Sequence, residues 1–388
     1  MKCSTNLLPV PQFLSPMLIP QSKFIGLENI VHLATGGESP ALKSHTDAVA
    51  RFFAAKAKGE DCRYEIEATY RRTQSKAAEL LNVNADEIAF VESATAGVNT
   101  LAYAIDWQSG DNVVVADVEF PSDVLPWTKF EHLGVEIRIV KNKGWQIHPE
   151  DIAELIDERT RVVAVSYVSY FTGQRQDLPK LSNLIRQSNA IFLLDVTHAA
   201  GVVSVDASLA DVVVCSCYKW LLATHGVAIF YWNKERLPEL TPPFIGWATP
   251  DALPGWEDPT TYVLPDSADR FVPGNPSYIS IYVLENALNH LLEIGPDVIE
   301  EYVLSLSGKL WQGVNEMGWE MLTPGQVGGR AGNVCFMAPH VREVTDRLKA
   351  NNILIWGSYG GVKRVRVSTH LYNSESDVDR FLEVIGLS

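Results

Sequence analysis

The stretch Asp211-Val-Val-Val-Cys215-Ser-Cys-Tyr-Lys219-Trp-Leu221 joins a short apolar run to a lysine set among aromatic and apolar residues. The valine-rich run predicts a strand that is covered on both faces. Lys219 then has two interpretations. Its apolar stem can lie along the protein while the ammonium group reaches water, or burial can deprotonate the amine and leave it able to attack an aldehyde.

Similar apolar runs lie on both sides of this one along the chain. They are Glu87–Glu92, Asn112–Ala116, Val135–Val140, Arg161–Tyr167, Ala190–Asp195 and Gly226–Trp232. The helical candidates between them include Ala96–Ile105, Pro149–Ile156 and Leu178–Gln187. This alternation predicts an α/β fold with a mainly parallel, doubly wound, seven-stranded sheet.

The length of 388 residues predicts two domains, because it exceeds the size at which a single hydrophobic core stops growing. We expect an irregular N-terminal arm over residues 1–28, a large domain over 29–281 and a smaller α+β domain over 282–388. Residues 233–280 are rich in Pro, Trp and Asp and predict a long functional loop region. A long helical pattern begins at Tyr282.

The composition restricts the partners of the protein. A net charge of −15 argues against binding to nucleic acid or to anionic membranes. No apolar run approaches the ~20 residues that span a bilayer, and the N terminus lacks the layout of a signal peptide. The five cysteines show neither a disulfide framework nor zinc-ligand spacing, so no metal site is predicted. We therefore expect a cytoplasmic protein that acts on a small molecule.

Two further elements carry chemistry. Asp195 ends a predicted strand, and ligands of open α/β sheets bind outside the carboxyl ends of strands. Its carboxylate can cap the following helix or keep a pyridine nitrogen protonated. The turn Ser93-Ala94-Thr95 lies between a strand and a helix, where backbone N–H groups bind phosphate; small polar turns of this kind also arise for steric reasons alone.

Along the chain, the turn Ser93-Ala94-Thr95 comes first, Asp195 second and Lys219 third. Three elements in this chain order resemble the class V aminotransferase superfamily of fold-type I pyridoxal-phosphate (PLP) enzymes. The resemblance runs from about Ile30 to the C terminus. Cysteine desulfurases, kynureninase, isopenicillin N epimerase-like proteins and carbon–sulfur lyases belong to this group. The resemblance implies the fold-type I architecture, PLP as cofactor, and Lys219 as the residue that carries PLP as a Schiff base.

The resemblance also assigns the other site residues. Asp195 matches the partner of the pyridine nitrogen, and His198 matches the residue beside the phenolic oxygen; with Lys219, they form the expected catalytic set. The remaining cofactor positions are Ala94, Thr95, Ser216 and Tyr218 for the phosphate, Phe120 for stacking on the ring, and Tyr170 where desulfurases have asparagine. Arg366, in the stretch Arg364-Val-Arg366-Val-Ser368, matches the arginine that grips the substrate α-carboxylate; a surface strand arginine is the alternative.

Two segments resemble parts of kynureninase that reach the cofactor phosphate of a neighbouring protomer. They are Gly246-Trp247 and Gly274-Asn275-Pro276. The resemblance therefore implies a homodimer with shared active sites, to which Trp247 and Asn275 contribute.

Departures from the family pattern indicate a branch. The stretch Asn352–Arg366 has no cysteine, with Ser358 and Tyr359 in its loop, and Cys335 falls in a predicted buried strand. A persulfide relay needs an accessible thiolate. The chain therefore looks nearer to kynureninase, the epimerase-like proteins and carbon–sulfur lyases than to persulfide-forming desulfurases. Ala248-Thr249 after Trp247 departs from the kynureninase loop and argues against kynurenine as substrate.

The leading expectation is a carbon–sulfur lyase that β-eliminates a cysteine-type or S-conjugated amino acid. Phe120 and an aromatic-rich loop suit a bulky substituent, and a lyase needs no second substrate. An aminotransferase, an epimerase and a decarboxylating oxidative deaminase are the alternatives. A scaffold that binds the cofactor without turnover would predict loss of Lys219 or Asp195, and both are present.

Overall fold

The computed structural model describes residues 17–338, 340–357 and 363–386. Its strands are β1 (Val31–Leu33), β2 (Ile88–Val91), β3 (Asn112–Ala116), β4 (Glu136–Val140), β5 (Thr160–Ser166), β6 (Ile191–Asp195), β7 (Val212–Ser216), β8 (Ala228–Trp232), β9 (Glu320–Met321), β10 (Asn333–Met337), β11 (Ile353–Ile355) and β12 (Arg364–Ser368). Its α-helices are α1 (His45–Lys56), α2 (Cys62–Leu81), α3 (Ala94–Ala104), α4 (Pro121–Thr128), α5 (Pro149–Ala153), α6 (Leu178–Ile185), α7 (Tyr278–Ile294), α8 (Pro296–Glu316), α9 (Val341–Ala350) and α10 (Glu375–Gly386). Residues 1–16 of the predicted arm, and the loop residues Ser358 and Tyr359, lie outside the described residues.

The central sheet has seven strands in the order β2-β8-β7-β6-β5-β3-β4. Strand β8 runs antiparallel to both of its neighbours, and the other neighbouring pairs are parallel. All seven predicted strands occur in this sheet. The prediction of a mainly parallel α/β sheet with fold-type I architecture is confirmed.

Both faces of the sheet are covered, which explains the nearly continuous apolar runs. In β3, Val114 and Ala116 belong to the hydrophobic cluster on one face, while Val113 and Val115 belong to the cluster on the other. Successive side chains of a strand point to opposite faces of the sheet. When both faces are buried, apolar residues therefore occupy every position instead of alternating with polar ones.

The helices between the strands follow the predicted order with shifted ends. Helix α3 begins at Ala94, earlier than predicted, because the Ser93 hydroxyl accepts a hydrogen bond from the Ala96 N–H and caps the helix. Gly97 lets this helix pack closely on the sheet, since a Cβ there would lie 2.7 Å from Val214 Cγ1. Helix α5 ends at Ala153 rather than at Ile156.

Residues 233–280 form a long connection, as the sequence predicts. Within it, the helical structure before α7 is the single 3-10 turn Ala268–Phe271. Phe271 packs on Phe230 and Trp232 of β8, with ring centroids 5.2 and 5.5 Å apart. The loop is thus attached to the sheet, and α7 follows from Tyr278, four residues before the predicted helical start.

The C-terminal part forms its own sheets. Strands β9, β10 and β12 pair antiparallel, and β11 pairs in parallel with β1 from near the start of the chain. Val31 and Leu33 share a hydrophobic cluster with β10, β12 and α8. The boundaries at residues 28/29 and 281/282 remain predictions. Among the described helices, none is long and apolar enough to cross a membrane.

Candidate active site

Lys219 follows β7, at the carboxyl edge of the parallel strands. The side chain is buried, so its ammonium group does not reach water along its stem. Its Nζ lies 3.3 Å from His198 Nε2 and 5.4 Å from the centre of the Phe120 ring. Burial and the positive charge of Arg366 lower the pKa of Lys219 from 10.5 to about 8, although the charge of Asp195 opposes this. The lysine is therefore a desolvated amine.

His198 contacts this amine as a neutral imidazole. Its Nδ1 accepts a hydrogen bond from Trp220 Nε1 at 3.2 Å and lies 3.0 Å from the Asn333 amide nitrogen. The Asn333 amide oxygen accepts from Ser368 Oγ, which leaves its NH₂ group to face His198. Two donors at Nδ1 place the imidazole proton on Nε2, facing Lys219. Burial and the charge of Lys219 hold the pKa of His198 well below its usual range.

A glycine brings the two segments of this site together. Gly201 has φ +88°, and a Cβ at this position would lie 2.5 Å from the Trp220 carbonyl oxygen. The turn after β6 can therefore approach the backbone after Lys219 only because residue 201 has no side chain. This close approach supports the contact between His198 and Trp220.

Asp195 is the last residue of β6, next to β7 in the sheet. Its Oδ1 accepts a hydrogen bond from the Thr197 N–H at 2.6 Å. Burial raises the pKa of Asp195, while the bonds from Thr197 and the positive charge of Lys219 lower it. The sequence allowed Asp195 to be either a helix cap or a cofactor partner. In the structure its carboxyl group accepts a hydrogen bond from a local backbone N–H and is also buried near Lys219.

Two further buried carboxyl groups adjoin Asp195 and were not singled out by the sequence. Asp123 on α4 is 1% exposed and lies against the carboxyl group of Asp195, and its oxygens have no other hydrogen-bond partner. Burial and the charges of Asp195 and Glu119 raise the pKa of Asp123 well above its usual range. Burial raises the pKa of Glu119 to about 7, against its hydrogen bonds from Ser166. An aspartate in the first turn of a helix is ordinarily explained by its favourable interaction with the helix dipole. The position of Asp123 in the sequence therefore gave no sign of a role in the site.

These groups fit the pyridine end of PLP. The carboxyl cluster has Lys219 as a nearby positive charge, and no N–H group of the described residues donates to the Asp123 oxygens. A protonated ring nitrogen against Asp195 supplies both a positive charge and a donor. Phe120 presents an aromatic face beside Lys219, and Tyr170 meets it edge-on with centroids 5.0 Å apart.

The predicted phosphate positions lie around the start of α3 and the end of β7. Ala94 is the first residue of α3, and Thr95 Oγ1 lies 2.7 Å from Ser122 Oγ. Ser216 ends β7, and the Tyr218 ring stacks on His225 at a centroid distance of 4.0 Å. Hydroxyl groups and the N–H groups of a helix start are suitable phosphate donors.

Arg366 lies in β12 and is 3% exposed, which excludes the alternative of a surface arginine. Its Nη1 donates to the Tyr170 carbonyl oxygen at 3.0 Å, and its Nε has no hydrogen-bond partner. Burial lowers the pKa of Arg366 to about 10. Arg366 is therefore a buried guanidinium that has an N–H group without a hydrogen-bond partner and whose charge acts on Lys219.

Trp247 and Asn275 lie elsewhere on this chain. Trp247 is 55% exposed. Arg63 lies between the two residues: its guanidinium is 6.0 Å from the centre of the Trp247 ring, and its Nη1 donates to Asn275 Oδ1 at 3.1 Å. No contact among the described residues links either one to Lys219. Their role in the site of a second protomer remains a prediction.

The buried strand predicted around Cys335 is confirmed as β10. Cys335 is 0% exposed, and burial raises the pKa of its thiol. Cys215 and Cys217 are buried as well, and Cys62 is partly exposed on α2.

Curated relatives align with most of the chain. A probable cysteine desulfurase of Pyrococcus abyssi is 27% identical over 342 residues, covering 81% of this chain and 82% of that protein. An uncharacterized aminotransferase of Schizosaccharomyces pombe is 28% identical over 326 residues, covering 81% and 80%. The expected separation from the cysteine desulfurases is not confirmed, because relatives of that name are among the matches.

Solved structures share the fold. The apo cysteine desulfurase of Thermococcus onnurineus superposes with a TM-score of 0.85 at 23% identity, covering 94% of this chain and 96% of that one. The cystine C–S lyase C-DES, in complex with its product cysteine persulfide, gives a TM-score of 0.84 at 20% identity, covering 93% and 98%.

The profile of class-V aminotransferases matches residues 39–381. That range contains all of the predicted site residues, from Ala94 to Arg366. The chain therefore belongs to the class-V aminotransferase family, and its cofactor is pyridoxal phosphate.

Proposed function

We propose that this protein is a PLP-dependent carbon–sulfur lyase that β-eliminates a cysteine-type or S-conjugated amino acid. The observation that carries the proposal is the desolvated amine of Lys219, held between neutral His198 and the charges of Asp195 and Arg366. The names of similar proteins support the substrate class, since they include cysteine desulfurases and a cystine C–S lyase.

Arg366 binds the α-carboxylate of the substrate. Its Nε is free of protein acceptors, so a carboxylate gains a charge-assisted hydrogen bond without displacing one there. Fixing the carboxylate fixes the rotation about Cα and thereby selects the bond that reacts.

PLP supplies an electron-accepting ring that stabilises negative charge at Cα. Lys219 would carry the cofactor, and its free Nζ would take the Cα proton as a general base. The electron pair of the broken Cα–H bond becomes the Cα–Cβ double bond as the Cβ–S pair leaves with sulfur, and water then hydrolyses the freed enamine to pyruvate and ammonia. A departing thiolate needs little help, because a thiol has a pKa of about 8.5.

Three groups maintain the charges that this chemistry needs. Asp195 would hold a proton on the pyridine nitrogen, because the hydrogen bonds from Thr197 and the charge of Lys219 favour its anionic form, and Asp123 beside it would stay protonated, since burial and the charge of Asp195 raise its pKa. His198 stays neutral, so it adds no positive charge that would compete with proton transfer to Lys219. Phe120 and Tyr170 cover the site with aromatic surface and exclude water.

The direct test is a product assay on the holoenzyme with S-benzylcysteine and with cysteine. The proposal predicts stoichiometric pyruvate, ammonia and benzyl thiol. Alanine with sulfane sulfur from cysteine would favour a desulfurase instead, and a keto acid that retains the benzylthio group would favour an aminotransferase. Racemisation would favour an epimerase, and release of carbon dioxide would favour a decarboxylating deaminase.

A pair of lysine variants controls this assay. Lys219→Ala is expected to abolish pyruvate formation, because it removes both the cofactor anchor and the base. Lys234→Ala is the matched control, since Lys234 lies on the surface in ion pairs with Asp86 and Asp266. Turnover that survives in Lys219→Ala at the level of Lys234→Ala would contradict the proposal.

A further inference from the structure

Strand β12 presents two arginines to the active site. Val365 and Val367 point into the hydrophobic core of the C-terminal part, so Arg364, Arg366 and Ser368 lie on the opposite face. Ser368 bonds to Asn333, which contacts His198, and Arg366 contacts the Tyr170 carbonyl oxygen. The face that carries Arg364 is thus the face that borders Lys219 and His198.

Arg364 is 0% exposed, and only some of its hydrogen-bond donors have an acceptor. Its Nη1 donates to the carbonyl oxygens of Tyr170 at 2.8 Å and Phe171 at 2.7 Å, and its guanidinium lies 4.5 Å from the centre of the Phe171 ring. No oxygen or nitrogen atom accepts a hydrogen bond from its Nε or Nη2, and the Cys335 thiol is a polar neighbour of the guanidinium. These two nitrogens form the edge of a guanidinium that a carboxylate occupies with two parallel hydrogen bonds.

The two arginines lack a matching negative charge. No described carboxylate forms an ion pair with either one. Burial lowers the pKa of Arg366 most, and the like charge of Arg364 lowers it further, against the Cys335 thiol and the hydroxyls of Tyr170 and Tyr218. The charges of both arginines also act on His198. Buried cations without partners are costly, which indicates that anionic ligand groups complete this site.

A substrate α-carboxylate at Arg366 neutralises only one of the two cations. Residues two apart on a strand are separated by about 6.6 Å, which is close to the distance between the ends of a short dicarboxylic amino acid. We propose that Arg364 binds a second carboxylate, at the far end of the substrate's S-substituent. This inference rests on the proposed function, and it makes S-(carboxyalkyl)cysteine-type amino acids the preferred substrates among the S-conjugates.

The test compares two isosteric substrates, S-carboxymethylcysteine and its neutral amide, S-carbamoylmethylcysteine. The expected kcat/KM of the wild-type holoenzyme is at least about tenfold higher for the acid, since charge-assisted bonds contribute that much. In Arg364→Gln the preference should fall below about threefold, and Arg364→Lys should be intermediate because it keeps the charge without the fork. A purely structural role for Arg364 would lower both values equally, and that result would overturn the proposal.

Arg330→Gln is the matched control. Arg330 is also a buried arginine with an unpartnered Nε, but it lies outside β12 and donates to the Gly325 carbonyl. The acid preference should persist in this variant. Loss of the preference in Arg330→Gln to the same degree as in Arg364→Gln would contradict a specific role for Arg364.

Binding without turnover separates this inference from the proposed function. Titration calorimetry of the holoenzyme should give a dissociation constant at least about tenfold lower for glutarate than for its monoamide, glutaramate, and Arg364→Gln should remove the difference. Equal affinities in the wild type would overturn the subsite, whatever the activity. Tight glutarate binding without thiol release from either conjugate would overturn the lyase reaction and leave the subsite standing.

Discussion

We propose that the pKa of Lys219 controls how fast the protein takes up its cofactor. Only the free amine attacks an aldehyde, and its pKa of about 8 makes that form abundant near neutral pH. The rate at which apoprotein takes up PLP should therefore rise with pH and level off above about 8. Absorbance stopped-flow measures this rate, and a rate that still rises tenfold per pH unit up to pH 10 would contradict the account.

The same measurement on Arg366→Gln gives the sign of the electrostatic effect. The positive charge of Arg366 lowers the pKa of Lys219. Its removal should move the midpoint of the uptake curve to higher pH, and a shift to lower pH would be inconsistent with this contact.

The adjoining aspartates should differ in importance. In the proposed site Asp195 pairs with the ring nitrogen, and Asp123, whose pKa burial and the charges of Asp195 and Glu119 raise well above its usual range, stays protonated beside it, so asparagine is a fair mimic of Asp123. We expect Asp195→Asn to lower kcat by about 100-fold or more, as loss of a fixed electrostatic partner does, and Asp123→Asn to lower it far less. Steady-state kinetics decide this, and equal losses would mean that the two carboxyl groups share the charge.

At the scale of elements, the turn after β6 depends on Gly201. Alanine there must adopt φ +88° and also place its Cβ 2.5 Å from the Trp220 carbonyl oxygen. Gly144→Ala is the matched control, because it has φ +60° with nothing within 4 Å of the added Cβ. We expect the control to lose about 1–2 kcal/mol from the left-handed backbone alone, and Gly201→Ala to lose more and to bind PLP weakly.

Denaturant unfolding gives both free energies of unfolding, and PLP titration gives the affinities. Similar losses of stability in the two variants would show that the approach to Trp220 adds nothing.

The strands were predictable because a strand that is buried on both faces has a continuous apolar sequence. The long loop was predictable because it is rich in Pro, Trp and Asp. Helix ends were less so: the start of α3 depends on a hydrogen bond from Ala96 to Ser93 that periodicity does not reveal. Asp123 and Arg364 were visible as residue types, but their importance lies in buried atoms without partners, which only the three-dimensional packing shows. Similarly, the pairing of β1 with β11 joins segments far apart in sequence.

At the scale of the whole molecule, a shared active site can be tested by mixing variants. If Asn275 serves the site of the partner, Lys219→Ala and Asn275→Ala subunits are each inactive alone, but a mixed dimer contains one intact site. Refolded equimolar mixtures should regain about a quarter of wild-type activity, since half of the dimers are mixed and each has one working site. Activity that never exceeds that of the separate variants would contradict sharing.

Lys219 is the residue that we propose as the covalent anchor of the cofactor. Borohydride reduction of the holoenzyme fixes PLP to the lysine that holds it, and peptide mass spectrometry then locates the modified residue. We expect one reduced pyridoxyl-phosphate group, on the peptide that contains Tyr218-Lys219-Trp220. Modification of a different lysine, or no modification of the PLP-loaded protein, would contradict it.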